Sequence, residues 1–462
     1  MKRPNILMVF PDQFSPRALG FKGEMPVKTP NLDEFSKDAL VLENAVSNHP
    51  ICSPYRAMMM TSRYPWKTGV TANCNTARSK YGMYLKRTET CVTDVFSQNG
   101  YDVGYIGKWH LDPPEKSHLP YISGWRELNA IWDSYTIKKR RHSINFWHAY
   151  GADDNHLAPH YWHNDAPVED VIRPDCWSVE HEAGVAIDYI KNKDNCRDSE
   201  KPFVLFVSHN PPHSPYDEIP QKYKDIYKDE PVEKLLTCPN VMYKNPAEIE
   251  DKKDDKGGER AEEAIHGYFS AVTGVDENFG RIIQTLKDEG LYDDTIIIFT
   301  SDHGDLMGSH NMMGKNSWYS ESFKVPFIIR YPEKIKNGKS DAIFNTPDIM
   351  PTLLSLCGME NKIPNTVQGK DKIAYLSGEK DGDDTTGLYF HFNDWEHARG
   401  IKTKRYTFVA EINYALEETF FLYDDLNDPW QLCNIADDNM EVCEKLHEEM
   451  LKQLEILEYD RM

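Results

Sequence analysis

Apolar residues in this chain come in two rhythms. Four short runs, Asn5–Phe10, Val103–Ile106, Phe203–Val207 and Ile296–Phe299, are apolar almost without interruption. A strand with one solvated face alternates apolar and polar residues, so continuous runs predict strands covered on both faces. Elsewhere the period lengthens. Val272, Val275, Phe279, Ile282, Ile283 and Leu286 recur at helical spacing and stop before Gly290, which predicts an amphipathic helix with a glycine cap. Val179–Ile190 and Asp348–Leu356 share the pattern. Strands and helices in alternation predict an α/β fold, a large and mostly parallel sheet sandwiched by helices.

The charged run Glu248–Glu262, with Gly257-Gly258 inside it, reads as a solvated loop before a helix. From Gly369 to Thr386 the composition turns to Gly, Asp and Lys, which marks a domain edge. The expected division is a catalytic domain over 1–368 and a C-terminal antiparallel α+β subdomain over 369–462. In the latter, Gly387–Asn393, Arg405–Ile412 and Thr419–Tyr423 read as strands, and Met440–Leu457 as a closing amphipathic helix.

The polar residues just beyond the apolar runs matter most. In open α/β sheets, sites form beyond the carboxyl ends of strands. Asp12 lies after the first run, Lys108 and His110 after the second, His213 after the third, and Asp302-His303 after the fourth. Metal-ligand and acid/base residues are thus delivered to one edge of the predicted sheet.

At 462 residues and 40% hydrophobic content, with 25 Tyr, 19 Phe and 10 Trp, the chain can fill a large core and a smaller one. A net charge of −21 argues against nucleic acid or an anionic membrane as partner, because phosphate binding needs a basic footprint. It also requires that an anionic substrate be drawn in by local positive charge. No apolar run approaches the ~20 residues of a transmembrane helix. Met1-Lys2-Arg3 before Asn5–Phe10 has the outline of a signal peptide, but the apolar part is short and runs straight into Pro11-Asp12-Gln13. The expected compartment is the cytoplasm if the chain is complete, and the periplasm or the exterior if a leader has been removed. Nine cysteines without a C-x-x-C pair suggest neither a zinc ribbon nor a thioredoxin-like site and read as reduced thiols.

The strongest chemical signal is Cys52-Ser53-Pro54-Tyr55-Arg56. A thiol at a helix N-terminus has its anion favoured by unpaired N–H groups and the macrodipole. Proline suits the first turn, and i+4 spacing sets Arg56 beside Cys52. A phosphate-wrapping C-x5-R loop would need arginine at 58, which is Met58. Taken alone, the cysteine also reads as an ordinary buried thiol. Phe10-Pro11-Asp12-Gln13 and Thr300-Ser301-Asp302-His303 add carboxylates, a carboxamide oxygen and an imidazole. Such donors suit calcium or magnesium, and the imidazole keeps manganese and zinc open.

With Gly107-Lys108-Trp109-His110, Pro211-Pro212-His213-Ser214-Pro215 and Gly314-Lys315, these motifs resemble the type I, formylglycine-dependent sulfatases of the alkaline-phosphatase-like superfamily. Thr29-Pro30-Asn31-Leu32, Val325-Pro326-Phe327-Ile328-Ile329-Arg330 and Leu422-Tyr423-Asp424 extend the resemblance over most of the chain. It implies a hydrolase of sulfate esters in which Cys52 is oxidised to formylglycine by a formylglycine-generating or radical modifying enzyme. It implies one divalent cation, calcium first with magnesium or manganese as alternatives, held by Asp12, Gln13, Cys52 in its converted form, Asp302 and His303. Cys52, Arg56, Lys108, His110, His213 and Lys315 are then the catalytic set. His213 protonates the leaving alcohol, Lys108 and Lys315 neutralise the sulfate, His110 assists collapse of the aldehyde hydrate, and Arg56 orients it. Many members carry a second Asp where Gln13 stands. Gln13 is similar to the form in phosphonate monoester hydrolases and several bacterial carbohydrate sulfatases, so phosphonate or phosphate ester hydrolysis is the alternative. An inactive sulfatase-like binding protein is the reading of another class. Tyr55 and Ser62 depart from the small residue and the glycine usual at those places.

The segment from Trp132 to Trp177 is rich in aromatic residues and histidines, including Trp147, His148 and Trp162. A zinc site, packing under a long insertion and a sugar-stacking wall are the three readings, and the wall is the expectation. His391, Asn393, Trp395, His397 and Arg399 would close the opposite side, with His310 added to the pocket. A narrow slot on an acidic protein suits a small sulfated saccharide attacked from its end.

Overall fold

A computed structural model of the protein describes residues 3–114, 133–241, 257–380, 385–392, 397–413 and 415–459. Among them, nine strands form one sheet: β1 (Asn5–Val9), β2 (Leu40–Val46), β3 (Asp102–Lys108), β4 (Phe146–Tyr150), β5 (Trp162–His163), β6 (Phe203–Ser208), β7 (Thr295–Thr300), β8 (Phe327–Arg330) and β9 (Gly338–Asn345). Their order is β5-β4-β3-β6-β1-β7-β8-β2-β9. Pairing is parallel from β4 through β3, β6 and β1 to β7, and again between β2 and β9. The four anticipated strands are the contiguous block β3-β6-β1-β7, which is why their carboxyl ends share one edge. β5 is antiparallel to β4, and β8 to both β7 and β2. The segment 301–326 stays at the carboxyl edge, and the chain re-enters the sheet as β8 in the opposite direction.

Alternation along the covered strands divides the core into two layers. Ile6 and Met8 enter one with Met59, Leu353 and Leu354, from α1 (Cys52–Thr61) and from Ile349–Leu356. Leu7 and Val9 enter the other with Val179 and Ala183 of α2 (Ser178–Ile190), and Val272 and Phe279 of α3 (Gly257–Asp288). Each aliphatic side chain buried in this way contributes ~1.5–3 kcal/mol. Ile349–Leu356 is α4. The charged run is not a loop throughout: its end, from 257, forms the first turns of α3, while 248–256 lies outside the described residues.

A second sheet, β10 (Gly387–Phe392), β11 (His397–Lys402), β12 (Tyr406–Ile412) and β13 (Glu418–Asp424), is antiparallel throughout. α5 (Met440–Ile456) covers it through Leu446, Met450 and Leu454, and Met58 of α1 joins the same apolar cluster. Asn48 ties the two sheets, donating to Leu388 O (2.6 Å) and accepting through its own carbonyl from Phe390 N–H (2.8 Å). β11 carries no alternation to announce it. Its place is set by pairing with β10 on one side and β12 on the other.

Trp147 and Trp162, expected in a sugar-stacking wall, are packed inside the protein. Trp147 lies in β4, is 1% exposed, and stacks on Tyr105 (centroids 5.7 Å apart) with Trp109 edge-on at 5.4 Å. Trp162 is buried and donates its indole N–H to Val168 O (2.9 Å). No described helix is long and apolar enough to cross a membrane.

Candidate active site

α1 begins at Cys52, after extended Ile51, and every residue of the helix is buried. The thiol therefore stands at the sheet edge with its surroundings fixed. Lys315 Nζ is 3.2 Å from Sγ, His303 Nε2 3.4 Å and Asp12 Oδ1 3.7 Å. Burial and the Asp12 carboxylate oppose ionisation of the thiol. Lys315, Lys108 and His303 outweigh them and bring it down to about 6.

Arg56, one turn further on and 1% exposed, spends its donors on the floor of the site. Nε and Nη2 reach Asp302 Oδ2 (3.1 and 3.0 Å), Nη2 also reaches Asp12 Oδ2 (3.2 Å), and Nη1 donates to Lys108 O and Ser208 Oγ (both 2.7 Å). Two buried carboxylates are thereby locked in one geometry. Lys108 adds an ion pair to Asp12 Oδ2 (2.7 Å) and donates to Asn210 Oδ1 (2.9 Å). The residue before it must be glycine. Gly107 has φ +95°, and a Cβ there would come within 2.1 Å of Ser208 O on the neighbouring strand.

Gln13 donates its amide N–H groups to Tyr216 OH (2.9 Å) and to Asp305, which turns Oε1 toward Lys315 Nζ (2.9 Å). His303 donates Nδ1–H to Gly304 O (3.0 Å), so Nε2 faces Asp12 Oδ1 at 3.3 Å. Donor atoms of Asp12, Cys52, Asp302 and His303 all lie within 4.8 Å of one another. Burial opposes ionisation of Asp12, but Lys108, Lys315 and His213 hold its carboxyl well below the usual range. Burial and that same negative charge push Asp302 up. Two carboxylates and an imidazole nitrogen turned on one point, with one carboxyl driven toward protonation by the other, fit a divalent cation that would keep both ionised.

Above this floor is a cavity of about 210 Å³, walled by Lys108, His110, His213 and Lys315 together with Asn73 and Asp154. Burial, then Lys315 and Lys108, hold His213 well below the ordinary imidazole range, and its Nδ1 donates to Ser214 O (2.7 Å). Burial, Lys108 and Arg56 do the same to His110. All the residues expected at the catalytic and metal positions are thus brought together.

The expected substrate residues are not. Besides Trp147 and Trp162, His148 is 4% exposed and uses its two nitrogens on different partners, His163 at 3.2 Å and His181 at 2.9 Å. The three imidazoles form a chain rather than converging on a zinc ion. Arg399 is buried and ion-paired with Glu418 (2.8 Å), and His310 stacks on Tyr319 (centroids 3.5 Å apart). His397 is exposed at the start of β11 and does not line the cavity, while Asn393 and Trp395 lie outside the described residues. Sequence reasoning does not single out Asn73, Asp154 or Asn210. Asn210 and Asp154 come just after β6 and β4, so the strand-end rule reaches both once β4 is known to be a strand.

Residues 4–359 match the sulfatase family model, and residues 308–458 match that of the C-terminal part of N-sulphoglucosamine sulphohydrolase. The chain belongs to the sulfatase family and is a sulfuric ester hydrolase, with the alkaline-phosphatase-like fold of that family. It is 40% identical to an endo-4-O-sulfatase of Bacteroides thetaiotaomicron, over 97% of this chain and 91% of the relative. It is 32% identical to a ulvan-active sulfatase of Formosa agariphila, over 94% of this chain and 77% of the relative. A solved structure from the metabolism of multiple glycosaminoglycans by Bacteroides thetaiotaomicron shares the fold at a TM-score of 0.88 and 38% identity, covering 99% of this chain and 97% of that one. Members of the family generally use a metal ion and formylglycine, and the four converging donors offer a metal site.

Proposed function

We propose that the protein hydrolyses sulfate esters of saccharides where Cys52 meets Asp12, Asp302, His303 and the lysines. The observation that carries this reading is the buried Cys52 thiol between Lys315 and His303, under a cavity whose basic walls suit one sulfate group. The relatives named for a 4-O-sulfatase and for ulvan support a carbohydrate sulfate as substrate. A cavity of about 210 Å³ takes the sulfate and the atoms around its ester bond, so the rest of a saccharide lies outside it. The endo-acting relative weighs toward attack within a chain, against the end-directed expectation. We assign this chemistry to a catalytic part over 1–368, with 369–462 as a C-terminal subdomain.

Asp12, Gln13, Asp302, His303 and residue 52 would hold a divalent cation, for which the mostly oxygen donor set favours calcium over magnesium or manganese. A cation held there would supply Lewis-acid charge to the sulfate group and to an oxygen on residue 52. Conversion of Cys52 to formylglycine, by a dedicated modifying enzyme, would give an aldehyde whose hydrate, formed with one water, offers one hydroxyl to attack sulfur and a second whose deprotonation restores the aldehyde and releases sulfate. Lys108 and Lys315 neutralise the sulfate oxygens, a preorganised contribution that ranks among the largest in such sites. Arg56 keeps the two carboxylates oriented. His213 has committed Nδ1–H to Ser214 O, which leaves Nε2 for the leaving oxygen. In the free site burial, then Lys315 and Lys108, keep that imidazole neutral, and a sulfate anion between the lysines offsets their part and favours the protonated form. Neutral His110 is placed to accept a proton from the second hydroxyl.

The test compares an aryl sulfate with an aryl phosphonate ester of the same leaving group, on protein whose residue-52 peptide shows conversion by mass spectrometry. The sulfate is expected to be preferred by about tenfold or more in kcat/KM, equivalent to ~1.4 kcal/mol at the transition state. Preference for the phosphonate would move the protein to the alternative chemistry. Changing His213 to alanine is expected to slow hydrolysis of a saccharide sulfate by roughly 10²–10⁴-fold, while a nitrophenyl sulfate, whose leaving group needs no proton, loses far less. Equal losses on both would remove His213 from proton delivery.

A further inference from the structure

Among the described residues, the cavity wall carries one carboxylate, Asp154. A negative charge there opposes an anionic ligand, so its presence asks for a partner other than the sulfate. Its loop is built to hold it still. Asp133 Oδ1 accepts from Gly151 N–H (2.7 Å) and Ala152 N–H (3.1 Å). Asp133 Oδ2 is 2.8 Å from His160 Nε2, and His160 Nδ1 is 3.3 Å from Asp153 Oδ2, all three side chains being buried. Burial opposes protonation of His160, but the two carboxylates raise it to about 9, so the bridge is an ion triad at neutral pH. At Gly151 a Cβ would come within 2.4 Å of Ser134 N, so the loop closes only over glycine.

The carboxylate itself is oriented from below. Asp154 Oδ1 accepts from Asn210 Nδ2 (2.9 Å), and the same amide accepts from Lys108 Nζ through Oδ1 (2.9 Å). Lys108 thus fixes which way Asn210 faces, and Asn210 fixes Asp154. The other oxygen, Oδ2, has no hydrogen-bond partner among the described residues, and the side chain is 30% exposed where it lines the cavity. Asp154 stands on the His213 side, with Oδ1 3.6 Å from Nδ1. That nitrogen already donates to Ser214 O, so the carboxylate is not the imidazole's hydrogen-bond acceptor. Burial pushes the Asp154 carboxyl up to about 6, which leaves it an acceptor at neutral pH.

An open acceptor beside the residue assigned to the leaving group calls for a donor on that group. We propose that Asp154 is a specificity-determining residue, whose free oxygen accepts a hydrogen bond from a hydroxyl or amide N–H of the leaving sugar and so selects saccharide over aryl sulfates. The assignment rests on the protein acting on saccharide sulfates. Simple aryl leaving groups offer no such donor, whereas a sulfated sugar carries a free hydroxyl or an amide N–H elsewhere on the same sugar unit.

The test measures kcat/KM for 4-O- and 6-O-sulfated chondroitin oligosaccharides and for 4-nitrophenyl sulfate in the wild type, Asp154→Asn and Asp154→Ala. Asp154→Asn keeps an acceptor for Asn210 and changes the free oxygen, so it separates recognition from support of the loop. The saccharide-to-aryl ratio is expected to fall about 30-fold or more in both variants, as when a site built to pair a substrate donor loses its acceptor. A ratio within about threefold of wild type, or a pH–rate profile displaced alike for both substrates, would make Asp154 a partner of His213 and overturn the proposal. Wild-type protein that cleaves the aryl sulfate but none of the oligosaccharides would instead defeat the saccharide reading, and this inference with it.

Discussion

Changing Cys52 to alanine is expected to cut sulfate ester hydrolysis about 10⁴-fold or more, the scale seen when a nucleophile is deleted and only binding and electrostatics remain. The sulfur is the one side-chain atom at residue 52 that reaches Asp12, His303 and Lys315 together. Alanine leaves nothing there to be converted, and nothing to attack. Lys108 and Lys315 keep their own anchors, Asp12 with Asn210 for the first and Gln13 for the second, so the variant should still bind sulfated saccharide. Loss of one buried sulfur costs about 1 kcal/mol, the centre of the range for point changes. Initial rates, calorimetric binding and thermal unfolding check the three statements. Activity above a hundredth of wild type would move the nucleophile elsewhere, and loss of saccharide binding would mean that residue 52 organises the pocket itself.

The second large effect is at Arg56. Arg56→Met is expected to be inactive and to lose roughly 3–5 kcal/mol of stability, the range for leaving one member of a buried ion cluster without its partner. Asp12 and Asp302 are both fully buried and share the guanidinium. Burial and mutual repulsion already drive Asp302 toward protonation with Arg56 in place, so its removal makes the pair untenable. Two controls separate this from loss of bulk. Arg56→Met combined with Asp302→Asn should recover most of the stability but no activity, because a neutral amide asks for no counter-charge. Calcium should raise the unfolding midpoint of Arg56→Met by more than it raises that of the wild type, since the cation takes over part of the missing charge. A single variant that unfolds at the wild-type midpoint in excess chelator would show that Arg56 is not what compensates the carboxylates.

Asp12, Lys108, His110, His213, Asp302 and His303 were readable because each lies a few residues beyond an uninterrupted apolar run, whereas Lys315 lies well past its run and was legible only through the resemblance. Such a run is a property of local sequence, and a strand buried on both faces has few other ways to be written. Asp12, Lys108, His213 and Asp302 could therefore be set on one edge before their spatial order was known. Cys52 and Arg56 were readable for a similar reason, since i+4 spacing on a helix is local geometry. Asp154 was not, because β4 does not stand out as an apolar run, and Asn210, although just beyond the run Phe203–Val207, carried no local sign of its contacts. Each is oriented by a partner far away in the chain, Asp154 by Asn210 and Asn210 by Lys108, and no spacing announces such a pair.

The aromatic segment shows the same boundary from the other side. Trp147 has the same composition around it whether it faces a sugar or a core. Only the register of β4 against β3, which sets Trp147 opposite Tyr105, put it inside. Arg399 likewise had no local mark of burial, and its fate was decided by the pairing of β11 with strands on both sides and by Glu418 across the sheet. The sequence by itself determined the α/β class and the sheet edge at which Asp12, Lys108, His213 and Asp302 gather, because periodicity and helix spacing act over a few residues. Tertiary structure alone decided which aromatic and charged groups are packed away and which carboxylate faces the cavity. Burial and pairing depend on neighbours that lie tens to hundreds of residues distant along the chain.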